Sequence, residues 1–175
     1  DPAALRRLLE RSADFDFIVT SGGASVGDHD LVKQVFAEIG EIGFWKAKIK
    51  PGKPIAFGRV GERTHFFALP GNPVSSFVTF LLLVRPFVLG LQGALETEPP
   101  SHTLEAHFDW PRPNKRREFL RVRRNAQGGL ELFPNQSSGV LTSAVWGDGV
   151  VDNPPGQAIQ KGDPVRYIPL SAWMS

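Results

Sequence analysis

One stretch narrows the possible folds more than any other: FDFIVTSGGASVGDHDLVKQVF, residues 15–36. Phe15, Phe17, Ile18 and Val19 read as a buried strand. Residues 21–30 hold three glycines, two serines and two aspartates. From Leu31 the apolar residues recur at helical spacing (Leu31, Val32, Val35, Phe36, Ile39) until Gly40 stops them. A strand that feeds a helix through small polar residues is a unit of an α/β layer, and such a turn often holds an anion.

The neighbouring segments repeat that alternation. A helix over about 3–12 precedes the strand, with Pro2 suited to its first turn and Leu5, Leu8 and Leu9 on one face. Strands follow around 44–49, 54–60 and 64–68, the last two joined as a hairpin by RVGERT, and then a long helix over about 73–91. This order predicts helices packed on a mixed sheet. The segment GALETEPPSHT then breaks the pattern with Gly93, Pro99 and Pro100. Beyond it come short alternating runs (TLEAHFDW, EFLRVRR, GLELFP, GVVDNP, DPVRYIPL) set apart by Gly, Asn and Pro, which predicts a small β-barrel or sandwich. Two domains are expected, 1–95 and 101–175.

Composition excludes several classes. The 175 residues are 41% hydrophobic and contain no cysteine, so cores can form without disulfides, thiolate chemistry or Cys-ligated metal. The longest apolar run, residues 77–84, falls short of the roughly 20 residues that span a bilayer, so no membrane association is expected. A net charge of +2 is too small to argue for nucleic acid. The chain opens at Asp1-Pro2 with a helix and no initiator Met. An α/β unit that starts this way is expected to lack an earlier strand, as a fragment would.

Four segments carry candidate chemistry. In SGGASVGDHD, Gly22, Gly23 and Gly27 allow backbone N–H groups to converge on an oxyanion, with Ser21 and Ser25 adding hydroxyls. The plainer reading is a strand-to-helix turn capped by Asp28 or Asp30. In WKAKIKPGKP, Lys46, Lys48 and Lys50 would share one face of a strand, either as a solvated face or as a cationic row ending at the PGKP turn. In LPGNPVSSF, Pro70, Gly71, Asn72 and Pro73 form a rigid turn, with Asn72 as N-cap and Pro73 in the first helical turn. Its amides can face a phosphate. In RPNKRREFLRVRR, Leu120 and Val122 would face one way and Phe119, Arg121 and Arg123 the other. That run reads as a solvated face more readily than as a nucleic-acid surface, for it has no aromatic platform.

Taken in order, SGGASVGD, KIKPGKP, LPGNPVSSF, EFLRVR and NQSSGVLTS resemble the C-terminal half of molybdopterin molybdenumtransferase, the MoeA family, which includes the E domain of gephyrin. The resemblance spans essentially the whole chain and departs from the family pattern at AVWGDGVVDNPPG. It implies a molybdopterin-binding α/β domain without its first strand, followed by the family's small C-terminal β-barrel. It also implies a reaction: molybdate, with Mg²⁺, is inserted into adenylylated molybdopterin as AMP leaves. Asp30 then matches a position implicated in activity, orienting Mg²⁺ or the attacking water. Lys46 and Lys50 match paired active-site lysines, residues 70–73 shape the pterin pocket, and Arg121 and Ser138 match positions near molybdate. A cytoplasmic homodimer is implied for the complete protein. The fragment alone is expected to be inactive. The sister adenylyltransferase activity belongs to the α/β domain alone, so the attached barrel argues against it. A gephyrin-like scaffold is the remaining alternative.

Overall fold

The computed structural model describes residues 2–22, 35, 38, 40–52 and 54–174. Helix α1 (Pro2–Glu10) buries Leu9 fully and Leu5 in part, and it continues into a 3₁₀ turn at Arg11–Asp14. Strand β1 (Phe17–Ser21) pairs in parallel with β5 (Thr64–Leu69). Strand β4 (Pro54–Val60) and β5 form the expected hairpin, which turns through Gly61 at φ +58°. Strand β2 (Gly40–Lys46) adds antiparallel to β4. The order β1-β5-β4-β2 is a mixed sheet. Leu9, Val35, Ala56, Val60, Phe66 and Ala68 form one of its cores.

Helix α2 (Pro73–Leu91) is the spine between the two halves. Val84 packs with Ile55, Phe67 and Leu69 of the first sheet. Val74, Val78 and Leu81 pack with Phe119, Val150, Ile168 and Trp173 of the second. A π-helical turn over Phe80–Val84 precedes Pro86. Proline lacks the N–H that would bond the carbonyl one turn back and its ring crowds that carbonyl, so a widened turn relieves both problems. At 19 residues and a mean hydropathy of 2.0, α2 is long and apolar enough to cross a membrane. The apolar run 77–84 understates it. Its buried apolar residues, Val74, Val78, Leu81 and Val84, nevertheless pack into the cores of both sheets, while none of Arg85–Leu91 is fully buried.

Residues 92–101 contain no helix or strand. The second sheet then collects β6 (His102–Glu105), β7 (Arg117–Arg124), β8 (Leu130–Leu132), β9 (Gly149–Asn153) and β10 (Pro164–Pro169). With Ile49–Lys50 as β3, its order is β3-β7-β9-β10-β6, with β8 also on β7. Ala106, continuing from β6, bridges Leu130 of β8, and the His107 amide donates to the Leu130 carbonyl at 2.8 Å. The sheet thus curls until its edges meet at one bridge. This is barrel-like, without a full closing ladder. Ala106, Leu120, Val122, Leu130, Val151, Ile159, Val165 and Tyr167 fill the interior. A short helix, α3 (Thr142–Trp146), follows the polar turn of residues 135–139.

One element departs from expectation. Strand β3 (Ile49–Lys50) belongs to the second sheet and lies parallel to β7. Lys46, Lys48 and Lys50 therefore do not share the face of a single strand. The cause is local: β2 reaches Lys46 opposite Pro54, which has no N–H to extend a ladder. The chain steps out through Ala47 and Lys48. The Arg117 amide captures the Lys48 carbonyl at 3.0 Å, and the next two residues pair with β7.

Candidate oxyanion site at the junction of the two sheets

The parallel pairing of β1 and β5 brings two of the candidate turns side by side. Gly22, at φ +90°, donates its amide to the Leu69 carbonyl at 3.0 Å, and a side chain there would meet the Cα of Gly71. The hydroxyls of Ser21 and Ser76 lie 3.4 Å apart, and Ser76 also donates to the Pro70 carbonyl. Ser21 and Gly22 therefore sit against the Pro70-Gly71-Asn72 turn. Gly23, Ser25, Gly27, Asp28 and Asp30 lie outside the described residues.

Asn72 occupies the N-cap position of α2, and Pro73 the first turn. The Asn72 side chain makes no capping bond. Its amide nitrogen instead donates to the Ser138 hydroxyl at 3.0 Å, while the Val74 amide donates to the Ser138 carbonyl at 3.1 Å. Asn72 thus ties the turn to the second domain.

Across from this turn, Lys50 and the following Pro51-Gly52 bend form another wall. Gly52 is buried at φ +114°, and a Cβ there would lie 2.3 Å from the Thr79 methyl, so only glycine fits. The walls enclose a cavity of about 540 Å³. The first domain contributes Lys50, Pro51, Gly52, Pro54, Pro70, Gly71, Asn72 and Ser75, and the second contributes Arg116, Gln136, Ser137 and Ser138. Two cations, a hydroxyl-rich loop and a glycine turn suit a tetrahedral oxyanion.

Three partners fix the cations. Lys50 Nζ donates to Glu118 Oε1 at 3.0 Å. Arg116 donates from Nε to Asn114 Oδ1 at 3.2 Å and from Nη1 to the Ile49 carbonyl at 3.2 Å. Arg116 and Glu118 were not among the residues singled out from sequence. The available signal was parity: Glu118 is the one acid in an arginine-rich strand and falls in step with Leu120 and Val122.

Lys46 and Arg121 lie elsewhere. Lys46 is exposed at the end of β2 and does not line the cavity. Arg121 is 3% exposed, against the expectation of a solvated arginine face, because β7 is buried on both sides, by the sheet interior and by α2. Its guanidinium donates to Ser143 Oγ at 3.2 Å and to the carbonyls of Phe119 at 3.2 Å and Ser137 at 3.4 Å. Burial pulls its pKa down to about 10. Gln136 completes the clamp by bonding both the amide and the carbonyl of Arg121 at 2.9 Å. Arg121 therefore braces the loop that presents Ser137 and Ser138 to the cavity, while Ser138 itself is on the wall.

Among the described residues, no three His, Cys, Asp or Glu side chains are grouped to hold a metal ion. Glu118, the buried carboxylate that holds Lys50 from behind the cavity wall, is already committed to three donors. The described residues do not fit a Mg²⁺ site on their own. A second cleft of about 410 Å³ lies in the β domain beside Arg117 and Arg166. Both guanidiniums there already pair with Asp152.

These features define a class: an α/β layer joined to a curled β-sheet, with a cationic oxyanion cavity between them. Comparison with known proteins places it further. Residues 1–90 match the family described as "Probable molybdopterin binding domain", and residues 103–170 match "MoeA C-terminal region (domain IV)". The chain belongs to the MoeA-type molybdopterin molybdenumtransferase family. It is 51% identical over 97 residues to molybdopterin molybdenumtransferase of Haemophilus influenzae, covering 55% of this chain and 24% of that protein. It is 36% identical over 154 residues to the molybdenum cofactor synthesis protein cinnamon of Drosophila melanogaster, covering 84% and 25%. The crystal structure of the molybdopterin biosynthesis MoeA protein from Pyrococcus horikoshii superposes with a TM-score of 0.78 at 29% identity, over 97% of this chain and 41% of that one. The chain thus spans about a quarter of the length of these curated relatives.

Proposed function

We propose that this chain supplies one half of the active site for inserting molybdenum from molybdate into adenylylated molybdopterin, with release of AMP. The observation that carries the reading is the joint cavity. Lys50 comes from the part matched to the molybdopterin-binding family, and Arg116 and Ser138 come from the part matched to MoeA domain IV. Lys50 and Arg116 would neutralise an incoming oxyanion and the charge that develops at phosphorus. Ser138, Asn72 and the Gly71 backbone would orient its oxygens. Ser21, Gly22 and the glycine loop beyond them would receive the phosphorylated pterin. Asp30 would be the carboxylate for Mg²⁺ or the attacking water.

Domains run 1–95 and 101–175, although β3 crosses that division. The working protein is a cytoplasmic homodimer that uses Mg²⁺ and binds neither nucleic acid nor membrane. Adenylyltransferase chemistry is disfavoured because the cavity needs the second domain. The test is calorimetric titration of this chain with sodium molybdate at low ionic strength. Weak, salt-sensitive binding that is lost in Lys50→Ala supports the reading. Binding indifferent to Lys50 removes the cavity from it.

A further inference from the structure

Near the start of β7 a carboxylate occupies a position whose parity belongs to the sheet interior. Glu118 alternates with Leu120 and Val122, which pack among the interior residues, and it is 1% exposed. A buried acid is costly unless its oxygens are hydrogen-bonded. Oε2 accepts from the Trp110 indole at 2.8 Å and from the Asn114 amide at 3.1 Å, and Oε1 accepts from Lys50 Nζ at 3.0 Å. Burial pushes the Glu118 carboxyl up, but these three bonds and the charge of Lys50 outweigh it, so its pKa is lowered.

The donors differ in origin. Trp110 and Asn114 precede β7 in the same domain and satisfy Oε2 between them. Lys50 arrives from the other domain on β3, where it stands directly opposite Glu118 in the parallel register. Its backbone is thus held by β7 and its ammonium by Glu118, beside the Trp110 ring at 5.8 Å. An ammonium has three donors. The Glu118 bond uses one, and the side chain stays 36% exposed on the cavity wall.

We infer that Glu118 is a positioning residue for the oxyanion site: it holds the Lys50 ammonium at the cavity wall, so the second domain sets the geometry of a cation supplied by the first. The inference rests on the oxyanion reading of the cavity. Folding, rather than binding, then bears the ordering cost of a flexible lysine. A carboxylate that acted only by its charge would oppose anion binding, so its removal would tighten molybdate. A positioning carboxylate has the opposite sign.

The experiment uses this chain and reads two signals. ¹H–¹⁵N spectra of the lysine side chains should show an exchange-protected Lys50 ammonium that is lost in Glu118→Gln. Molybdate titration of the same samples should show about tenfold weaker binding in Glu118→Gln, and no further loss when that change is added to Lys50→Ala. A wild-type Lys50 ammonium that exchanges as fast as that of exposed Lys48 overturns the inference, even if the variant fails to fold. Tighter molybdate binding in Glu118→Gln, or an equal loss in both backgrounds, also overturns it. A protected Lys50 in a wild-type chain that binds no molybdate upholds the hold of Glu118 on Lys50 and refutes the oxyanion reading alone.

Discussion

Two segments carry closely spaced cations, 46–50 and 116–124, and the fold treats them in opposite ways. The lysine segment breaks at Lys46, leaves one sheet and joins another within four residues. The arginine segment stays a single strand, but one buried on both faces, with Glu118 and Arg121 inside and Arg117, Arg123 and Arg124 outside. Alternation of charge is therefore a poor guide to exposure where a strand is sandwiched. The partners decide it. Arg121 is tolerated because carbonyls and a hydroxyl surround its guanidinium, and Glu118 because donors from two domains meet its oxygens. The lysine segment has no such enclosure, so its end opens onto the cavity.

The sharpest break of this contrast is Arg121→Met. It removes the guanidinium's bonds to Ser143 Oγ and to the Phe119 and Ser137 carbonyls, leaves the Ser137 carbonyl only the Val140 amide from within its own loop, and releases the loop of residues 136–143. Hydrogen bonds to a charged group contribute about 1.5–3 kcal/mol each, so a loss of about 3 kcal/mol is expected in urea unfolding, with weaker molybdate binding as the loop loosens. Removal of a buried ion is sometimes neutral where apolar packing replaces it. A stability change within about 0.5 kcal/mol would mean that the arginine is no brace.

Gly52→Ala tests the other segment, where it turns. The new Cβ meets the Thr79 methyl, and φ +114° is strained for alanine. A loss of about 2 kcal/mol is expected. Adding Thr79→Ser removes the methyl and should recover part of that loss, leaving the backbone strain. Full recovery would show that the turn does not need glycine's conformation.

The α/β order, the hairpin, the long helix and the short strands of the second half were legible in the sequence, because periodicity and turn residues reported on burial. The meeting of Ser21 and Gly22 with the residues of LPGNP was not, since it rests on the parallel pairing of β1 with β5. Nor was the excursion of β3. It depends on Pro54 standing opposite Lys46 and on a free edge of β7 formed some 70 residues later, and no local pattern encodes either. Arg116 and Glu118 were hidden for the same reason. Their partners lie at Ile49 and Lys50, across the domain division.

Acid offers a gentler probe. The Glu118 carboxyl is held below its ordinary value, so it takes up protons more readily in the unfolded chain. Its contribution to stability is fully present above the ordinary carboxylate range and is lost as pH falls through the folded value. Glu118→Gln should therefore flatten the acid limb of the stability curve, as read by urea midpoints between pH 6 and pH 3. An acid limb identical to wild type would mean that the carboxylate is not preferentially stabilised by folding, and the contrast between enclosed and open charges would weaken.

The smallest effect separates the two lysines. Family resemblance pairs Lys46 with Lys50, whereas geometry puts only Lys50 on the cavity wall and leaves Lys46 exposed at the end of β2. Surface substitutions usually change stability by no more than about 0.5 kcal/mol, so Lys46→Ala should unfold at nearly the wild-type urea midpoint. Its effect on molybdate should be weaker than that of Lys50→Ala, since an exposed charge beyond contact distance acts only through screened attraction. The residual effect should vanish as salt is raised, while the loss in Lys50→Ala persists. A larger partner tests the remaining role. With a phosphorylated pterin, which extends beyond the oxyanion, Lys46→Ala should lose more affinity than it does with molybdate. Equal losses for both lysines with molybdate alone, at high salt, would mean that they act as one site and that the cavity wall is drawn in the wrong place.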